Sequence, residues 1–150
     1  MYIAHPDSST RIALVAGGGA GHEPAHAGYT GRGMLTASVS GDIFASPSAK
    51  QILSAISFAA FAGCMTRPRD VLVIINNYTG DRLNFGLAIE QARSRFPNLN
   101  IMHVLDADDT SLLPQTGSGM LVGPRGLLAG NSLIYKVLGA YTTFGANGGE

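Results

Sequence analysis

The sequence of 150 residues has a single cysteine, no tryptophan and few charged side chains. Cys64 has no second cysteine to pair with, which excludes an intrachain disulfide scaffold and favours a reducing compartment. No apolar run reaches the roughly 18 residues that a bilayer-spanning helix needs. The N-terminal residues lack the basic and then apolar pattern of a signal peptide. We therefore expect a cytoplasmic protein without a membrane partner.

The charged residues balance one another and form no cluster of one sign. The chain has ten lysines and arginines and ten aspartates and glutamates, and these residues are scattered along it. A nucleic-acid partner is not expected, because phosphate binding requires a basic stripe. Hydrophobic residues make up 45% of the chain, which is enough for the core of one globular domain over residues 1–150.

Short apolar segments alternate with longer amphipathic ones. The short segments predict strands at residues 11–16, 33–40, 70–77 and 100–106. Helical spacing and stop signals predict helices at residues 48–62, 81–96 and 126–144. The near-continuous hydrophobicity of the strands is typical of strands that are covered on both faces. The alternation predicts an α/β fold with a layered, mainly parallel sheet and flanking helices.

The glycine-rich segment "AGGGAGHEPAHAG", residues 16–28, follows the first predicted strand and contains the string H-E-x-x-H. A zinc site of that type requires both histidines on one face of a continuous helix. Pro24 is tolerated only in the first turn of a helix, so it places His22 in the preceding loop and His26 inside the helix. We therefore expect no metal site here.

Nucleotide-binding motifs fit the glycine segment poorly. A P-loop is absent, because neither Lys50 nor Lys136 follows a glycine. The dinucleotide fingerprint needs a glycine where His22 or Pro24 stands, although Asp42 after the second predicted strand keeps a dinucleotide-binding domain as a weaker alternative. The general inference is that backbone N–H groups there face a small polar ligand.

A second polar segment, "NNYTGDRLNF" at residues 76–85, follows the third predicted strand. Loops that follow parallel strands meet at the carboxyl edge of the sheet, so we expect His22 and Asp81 to face one cleft. An imidazole and a carboxylate together can handle a proton. Asp81 is also predicted to cap the helix that follows, and the two roles are compatible.

Three motifs carry a family resemblance: "AGGGAGHEPAHAGYTGRGML", "GDIFASPSAKQIL" and "NNYTGDRLNFGLAIEQAR". They resemble the substrate-binding K domain of the dihydroxyacetone (glycerone) kinase family. The resemblance extends from Arg11 through "GPRGLLAGNSLIYKVLGAY" and so covers nearly the whole chain. It implies that residues 1–150 are the N-terminal part of one K domain, with no nucleotide-binding domain in the chain.

The resemblance implies a kinase of glycerol metabolism that phosphorylates a terminal hydroxyl of dihydroxyacetone or glyceraldehyde. His22 resembles the family's proton acceptor, and Asp81 resembles the carboxylate that binds the reacting hydroxyl. The positions that match the family's substrate contacts are Gly19, Ala20, Gly21, His22, Asn76 and Asp81. ATP and magnesium would be supplied by a separate domain or a partner subunit and not be bound by this chain, and the family's usual assembly is a dimer.

The chain departs from the family's pattern at several points. Ala20 stands where the family has serine, and Asn76 stands where it has a lysine whose charge an amide cannot replace. The family's covalent histidine lies in a downstream G-I-H-G-E string that does not occur here. A truncated, non-catalytic triose-binding or regulatory relative therefore stays open as an alternative. The acidic cluster at residues 106–109 is interpreted as a strand end and a solvated turn, and His103 as a structural histidine.

Overall fold

The computed structural model describes residues 2–3, 10–62, 67–108 and 130–144. Their strands are β1 (Tyr2–Ile3), β2 (Ile12–Ala20), β3 (Ala37–Ile43), β4 (Asp70–Asn76) and β5 (Ile101–Asp106). Their α-helices are α1 (Ala49–Phe61), α2 (Thr79–Arg95) and α3 (Asn131–Phe144). The strands form one sheet in the order β1-β3-β2-β4-β5, in which all neighbours are parallel except β1 and β3. The predicted layered, mainly parallel α/β fold is confirmed.

The central strand β2 contributes side chains to two hydrophobic clusters, one on each face of the sheet. Ala13 and Val15 belong to the cluster that α1 and α2 cover. Leu14 and Ala16 belong to the cluster that contains Tyr135 of α3. All four strand residues are buried. A strand that is covered on both faces needs apolar residues at successive positions, which explains the continuous apolar run in the sequence.

Helix α1 begins at a capping box. Ser48 Oγ accepts from the backbone N–H of Gln51, and Gln51 Oε1 accepts from the backbone N–H of Ser48 at 2.8 Å. The helix predicted over residues 48–62 is observed at Ala49–Phe61.

Within the described ranges of the chain, neither α1 nor another helix has the length and apolar character needed to cross a bilayer.

The first residues of the glycine segment belong to a strand, although the predicted strand ends at residue 16. Strand β2 continues past Ala16 to Ala20, and Gly17 pairs with Val39 on one side and Ile75 on the other. A Cβ on Gly17 would lie 2.2 Å from the Val39 carbonyl oxygen, so glycine is required here by close strand approach rather than by a turn.

The crossover between β2 and β3 also differs from the prediction. The expected helix start at Pro24 is wrong, because residues 21–36 contain only a three-residue 3₁₀ helix, Ala27–Tyr29. The second predicted strand starts at Ala37 instead of residue 33. The fourth runs over Ile101–Asp106 as predicted, within one residue. The first residues of the third predicted helix, 126–129, lie outside the described residues.

The start of α2 corrects the predicted role of Asp81. The helix begins at Thr79, so Asp81 lies in its first turn and is not the cap. The cap position is Tyr78, whose side chain makes no capping hydrogen bond. Asp81 instead accepts a hydrogen bond from the side chain of Asn76 at the end of β4. The carboxylate is therefore hydrogen-bonded to the end of β4.

The strand order creates a crevice beside β2. The chain leaves β2 to form β3 on one side and later forms β4 on the other. The loops that follow β2 and β4 therefore diverge at the carboxyl edge of the sheet, where parallel α/β folds bind ligands. This topology places the glycine segment next to the polar residues that follow β4.

Replacing Gly86 with alanine is expected to stabilise the fold by about 0.4–1 kcal/mol, because alanine reduces the entropy of the unfolded chain. Gly86 lies inside α2, and a Cβ there would meet no atom within 4 Å. Urea unfolding followed by circular dichroism measures the change. The comparison variant is Gly17→Ala, which should destabilise the sheet. An unchanged or lowered midpoint for Gly86→Ala would contradict the prediction.

Candidate functional site

A cavity of about 170 Å³ lies at the carboxyl edge between β2 and β4. It is lined by Gly18, Gly19, His22, His26, Phe44, Ser46, Asn76, Tyr78 and Asp81. Sites for drug-sized ligands typically measure about 300–1,000 Å³, so this cavity suits a ligand of few atoms. The structure thus brings together His22 and Asp81, as well as Gly19 and Asn76. Ala20 and Gly21 lie outside the lining.

Glycines allow the walls of the cavity to come together. A Cβ on Gly18 would lie 2.8 Å from Nε2 of His26 and 3.0 Å from Nδ2 of Asn76. A Cβ on Gly19 would lie 2.8 Å from the backbone nitrogen of Ala45. The pairing of β2 with β3 shifts register between Gly18 and Ala20, so the strand is irregular where it borders the cavity.

His22 lies at the edge of the cavity on a tight turn. Its ring meets the Phe44 ring edge to face, with centroids 5.2 Å apart. Gly21 has a positive φ of 102°, and its N–H donates to both carboxylate oxygens of Glu23 at 3.1 Å. That backbone hydrogen bond lowers the pKa of Glu23. The turn is therefore held by Glu23, and the half-buried imidazole of His22 remains accessible to a ligand.

Asp81 provides a buried carboxylate with one free oxygen. Its Oδ2 accepts from Asn76 Nδ2 at 3.2 Å, whereas its Oδ1 is buried without a hydrogen-bond partner. The hydroxyl of Ser46, another lining residue, is also buried without a hydrogen bond of normal geometry, although it lies near the Asp81 carboxyl. Burial raises the pKa of Asp81, and the side chains of Ser46 and Asn76 oppose that rise. Unpartnered buried polar atoms are rare, and here they border a cavity where a polar ligand would satisfy them.

Asn76 joins the elements around the cavity. Its Nδ2 donates to the Gly17 carbonyl oxygen at 3.1 Å and to Asp81 Oδ2. Its Oδ1 accepts from Asn131 Nδ2 of α3 at 3.1 Å. An amide has two hydrogens to donate, and both are accounted for by these acceptors. Asn76 therefore holds Asp81 in place within a site that has no lysine at this position.

His26 lines the cavity and Tyr135 supports it from behind, and no sequence motif predicted a role for either residue. The His26 side chain is 1% exposed, and its Nδ1 lies 2.8 Å from the Tyr135 hydroxyl. Burial lowers the pKa of His26 from 6.5 to about 4, with a smaller contribution from the charge of His22. The sequence contained one local indication that His26 could lie near the site, its position four residues after His22. Tyr135 lies 109 residues further along, and no local pattern indicates that contact.

Of the acidic cluster at residues 106–109, Asp106 ends β5 and Asp108 is exposed after it, as expected for a strand end and a solvated turn, whereas the burial of Asp106 was not expected; Asp109 lies outside the described residues. Asp106 is 2% exposed, and both of its carboxylate oxygens lack a hydrogen-bond partner. Burial, with the neighbouring Asp108, raises the pKa of Asp106 to about 7. His103, expected to be a structural histidine, is exposed on β5. Among the residues that the structure describes, no group of three or more potential His, Cys, Asp or Glu ligands could hold a metal ion.

The His26→Gln variant should remove a pH-dependent loss of stability. Below its ordinary pKa of 6.5, the unfolded chain binds a proton that the folded His26, with a pKa of about 4, does not bind. Stability from this group is therefore lost as the pH falls from 6.5 towards 4. The loss approaches about 3 kcal/mol, because each pKa unit is worth about 1.36 kcal/mol.

Urea unfolding of the wild type and His26→Gln between pH 8 and 4 checks this prediction. Asp106, whose pKa is raised to about 7, acts in the opposite direction because the folded state binds its proton first. That contribution is common to both proteins and cancels in their difference. A difference in the free energy of unfolding that stays constant with pH would contradict the prediction.

A small cavity at the switch point of a parallel sheet, with an imidazole and a carboxylate on its wall, is typical of a binding site for a small ligand. The family follows from comparison with known proteins. A family model, the Dak1 domain, matches residues 1–147, and the chain belongs to this family. The family resemblance expected from the three sequence motifs is thereby confirmed.

Named relatives of the chain include kinases and a regulator. The dihydroxyacetone kinase of Citrobacter freundii is 46% identical over 141 residues, which cover 93% of this chain and 23% of the kinase. The crystal structure of the C. freundii kinase in complex with AMP-PNP and Mg²⁺ matches with a TM-score of 0.73 and 42% identity, over 91% of this chain and 23% of that one. The dihydroxyacetone kinase operon co-activator Dha-DhaQ matches with a TM-score of 0.73 and 34% identity, over 89% of this chain and 37% of that one.

These findings bear on the alternatives left open by the sequence. The chain spans only 23% of the length of the C. freundii kinase. Identity to that kinase is higher than identity to the co-activator, which favours the kinase interpretation over a regulatory relative. The dinucleotide alternative is not favoured, because no α-helix follows the glycine segment before β3.

Proposed function

We propose that this domain binds dihydroxyacetone or glyceraldehyde and presents a terminal hydroxyl of the triose for ATP-dependent phosphorylation. The observation that carries the proposal is that His22 and Asp81 line the same cavity of about 170 Å³. A triose has an oxygen on every carbon and no large apolar surface. Closely placed backbone groups and polar side chains are therefore the suitable receptor for it.

In this proposal, Oδ1 of Asp81 accepts a hydrogen bond from the reacting hydroxyl. Asn76 fixes Oδ2, so a substrate hydroxyl can donate to the unpartnered Oδ1. As the oxygen attacks the phosphoryl group, its one proton moves along this hydrogen bond to Oδ1 and from there to His22, which is half-buried and lines the same cavity. Phosphoryl transfer depends mainly on such positioning, because the enzyme forms few new bonds itself.

The irregular end of β2 supplies the remaining substrate contacts in this proposal. The register shift between Gly18 and Ala20 leaves the peptide groups around Gly19 available to hydroxyls of the triose. Ala20 and Gly21 complete the loop that continues to His22. Ala20 offers no hydroxyl, so contacts from this segment are made by its backbone.

ATP and magnesium reach the triose from a separate nucleotide-binding domain or partner subunit in this proposal. The C. freundii kinase structure contains AMP-PNP and Mg²⁺, and this chain corresponds to only 23% of that protein. The cavity described here is smaller than the sites of about 300–1,000 Å³ that are typical of larger ligands, so it suits the triose and not the nucleotide.

We further propose a homodimer that acts in the cytoplasm, where a lone cysteine stays reduced.

Titration of the ¹⁵N-labelled protein with dihydroxyacetone tests the proposal. Saturable shifts are expected for the backbone amides of Gly18, Gly19, His22 and Asp81, and not for those of Asp70 at the opposite end of β4. Asp81→Ala should weaken binding, whereas Asp70→Ala should not, since Asp70 is exposed and distant from the cavity. Shifts that are absent, or that cluster away from the cavity, would overturn triose binding.

A further inference from the structure

His26 is a cavity residue to which the proposed mechanism assigns no role. Its ring is almost fully buried, yet it lines the cavity beside Gly18. The ring is held from behind by Tyr135, with Nδ1 at 2.8 Å from the hydroxyl and the ring centroids 5.9 Å apart. Its orientation is therefore fixed, and the chemical character that it presents to a ligand depends on which nitrogen carries the hydrogen.

The environment of Tyr135 selects the tautomer of His26. The hydroxyl of this fully buried tyrosine has His26 Nδ1 as its hydrogen-bond partner among the described residues. If Nδ1 carried the hydrogen, the phenol hydrogen would be buried without that acceptor, at a cost in free energy. The tyrosine therefore donates to Nδ1, and the single hydrogen of the neutral imidazole lies on Nε2.

The Nε2–H group then lacks a protein acceptor among the described residues. The polar atom near it is Nδ2 of Asn76, at 3.4 Å, which is itself a donor. Both hydrogens of that amide are directed at closer oxygens, those of Gly17 and Asp81. Exchanging the oxygen and nitrogen positions of the Asn76 amide would lose the hydrogen bond that Asn131 donates to Oδ1. Nε2–H is thus a buried donor that borders a cavity.

We propose that Nε2–H of His26, set by Tyr135, donates a hydrogen bond to an oxygen of the bound ligand. The nature of that ligand, a triose, rests on the proposed function. The cavity then offers complementary groups: Asp81 Oδ1 accepts from a hydroxyl, and His26 donates to an oxygen that accepts. Burial keeps the imidazole neutral at physiological pH, because it lowers the pKa of His26 to about 4. His22, Tyr78 and Asp81 are the titratable side chains that share the cavity with it, and Tyr135 contacts it from behind.

Imidazole ¹⁵N spectra of the wild-type protein test the tautomer directly. The sequence has four histidines, and the His26 signals are assigned by their loss in His26→Gln. Between pH 8 and 6 we expect His26 to be neutral, with a hydrogen on Nε2 and none on Nδ1. Tyr135→Phe should raise the population with a hydrogen on Nδ1. A wild-type His26 that carries its hydrogen on Nδ1, or that is doubly protonated at pH 7, would overturn the proposal.

Ligand binding tests the donor role separately. Dihydroxyacetone should shift the Nε2 signal of His26, and His26→Phe should weaken its binding by about tenfold, the effect of losing one hydrogen bond. The matched control is His103→Phe, which changes an exposed histidine on β5 and should bind as the wild type does. If His26→Phe does not fold, Tyr135→Phe takes its place, with a smaller loss expected from the mixed tautomers.

The outcomes separate this inference from the proposed function. Wild-type affinity in a folded His26→Phe protein, with triose shifts still present at Gly18 and Asp81, would overturn the role of His26 and leave triose binding standing. Absence of triose shifts throughout the wild-type cavity would overturn triose binding. In that case, the tautomer measurement still decides whether Tyr135 sets a donor at the cavity.

Discussion

Replacing Asp81 with asparagine is expected to lower the rate of dihydroxyacetone phosphorylation by about 10²–10⁴-fold, the usual contribution of a positioned proton-handling group. Asparagine keeps an oxygen that can accept from Asn76 but cannot carry the charge that the reacting hydroxyl requires. The measurement uses a chimera in which residues 1–147 replace the matching segment of the C. freundii kinase. A coupled assay with ATP, Mg²⁺ and dihydroxyacetone gives kcat and KM.

The control for this prediction is Asp70→Asn in the same chimera. Asp70 begins β4, is exposed, and lies at the opposite end of that strand from the cavity. It should leave kcat unchanged. An Asp81→Asn chimera that keeps at least half the activity of its parent would show that the carboxylate is dispensable. A parent chimera that folds and binds dihydroxyacetone without turning it over would instead favour the regulatory alternative.

Phe85→Ala is expected to lower the free energy of unfolding by about 3–5 kcal/mol, the range measured for large aromatic side chains in protein cores. Phe85 is fully buried in the cluster that α1 and α2 form against the sheet. The loss is large beside a typical total stability of about 5–15 kcal/mol. Urea unfolding monitored by circular dichroism measures it.

A matched substitution on the same helix isolates the effect of burial. Leu87 lies two residues further along α2 and is 53% exposed. Leu87→Ala removes a side chain of comparable chemistry, and its effect should stay below about 1 kcal/mol, as is usual at the surface. Equal losses for Phe85→Ala and Leu87→Ala would mean that the packing between α1, α2 and the sheet is not the main source of stability.

The parts of the fold that local signals determine were predictable from the sequence. The helical spacing of Ile52 and Ile56 is a short-range feature, and α1 is observed at Ala49–Phe61, where a helix over residues 48–62 was predicted. The continuous apolar strands likewise indicated a sheet that is covered on both faces. Asp81 and His22 could be placed at one edge, because parallel strands direct their following loops to the same side.

The errors arose where distant residues decide a local conformation. A run of glycines that includes Gly17 suggests a turn, but Gly17 lies in β2 and allows the backbone of β3 to approach closely at Val39. This contact depends on the pairing of β2 with β3. Aspartate is a common helix-capping residue, but the carboxylate of Asp81 accepts a hydrogen bond from Asn76 and does not cap the helix. The importance of His26 could not be read without Tyr135, since their contact joins segments far apart in the chain.

Helix α3 contributes two side chains that stabilise the cavity from behind, Asn131 at Asn76 and Tyr135 at His26. Of these four residues, only Asn76 and His26 line the cavity, so α3 supports the site without lining it. Local opening of α3 would release both supports at once. A ligand that binds only the closed arrangement must therefore suppress that opening by mass action. Occupancy of the cavity should thus appear as slower amide hydrogen exchange along a helix that does not contact the ligand.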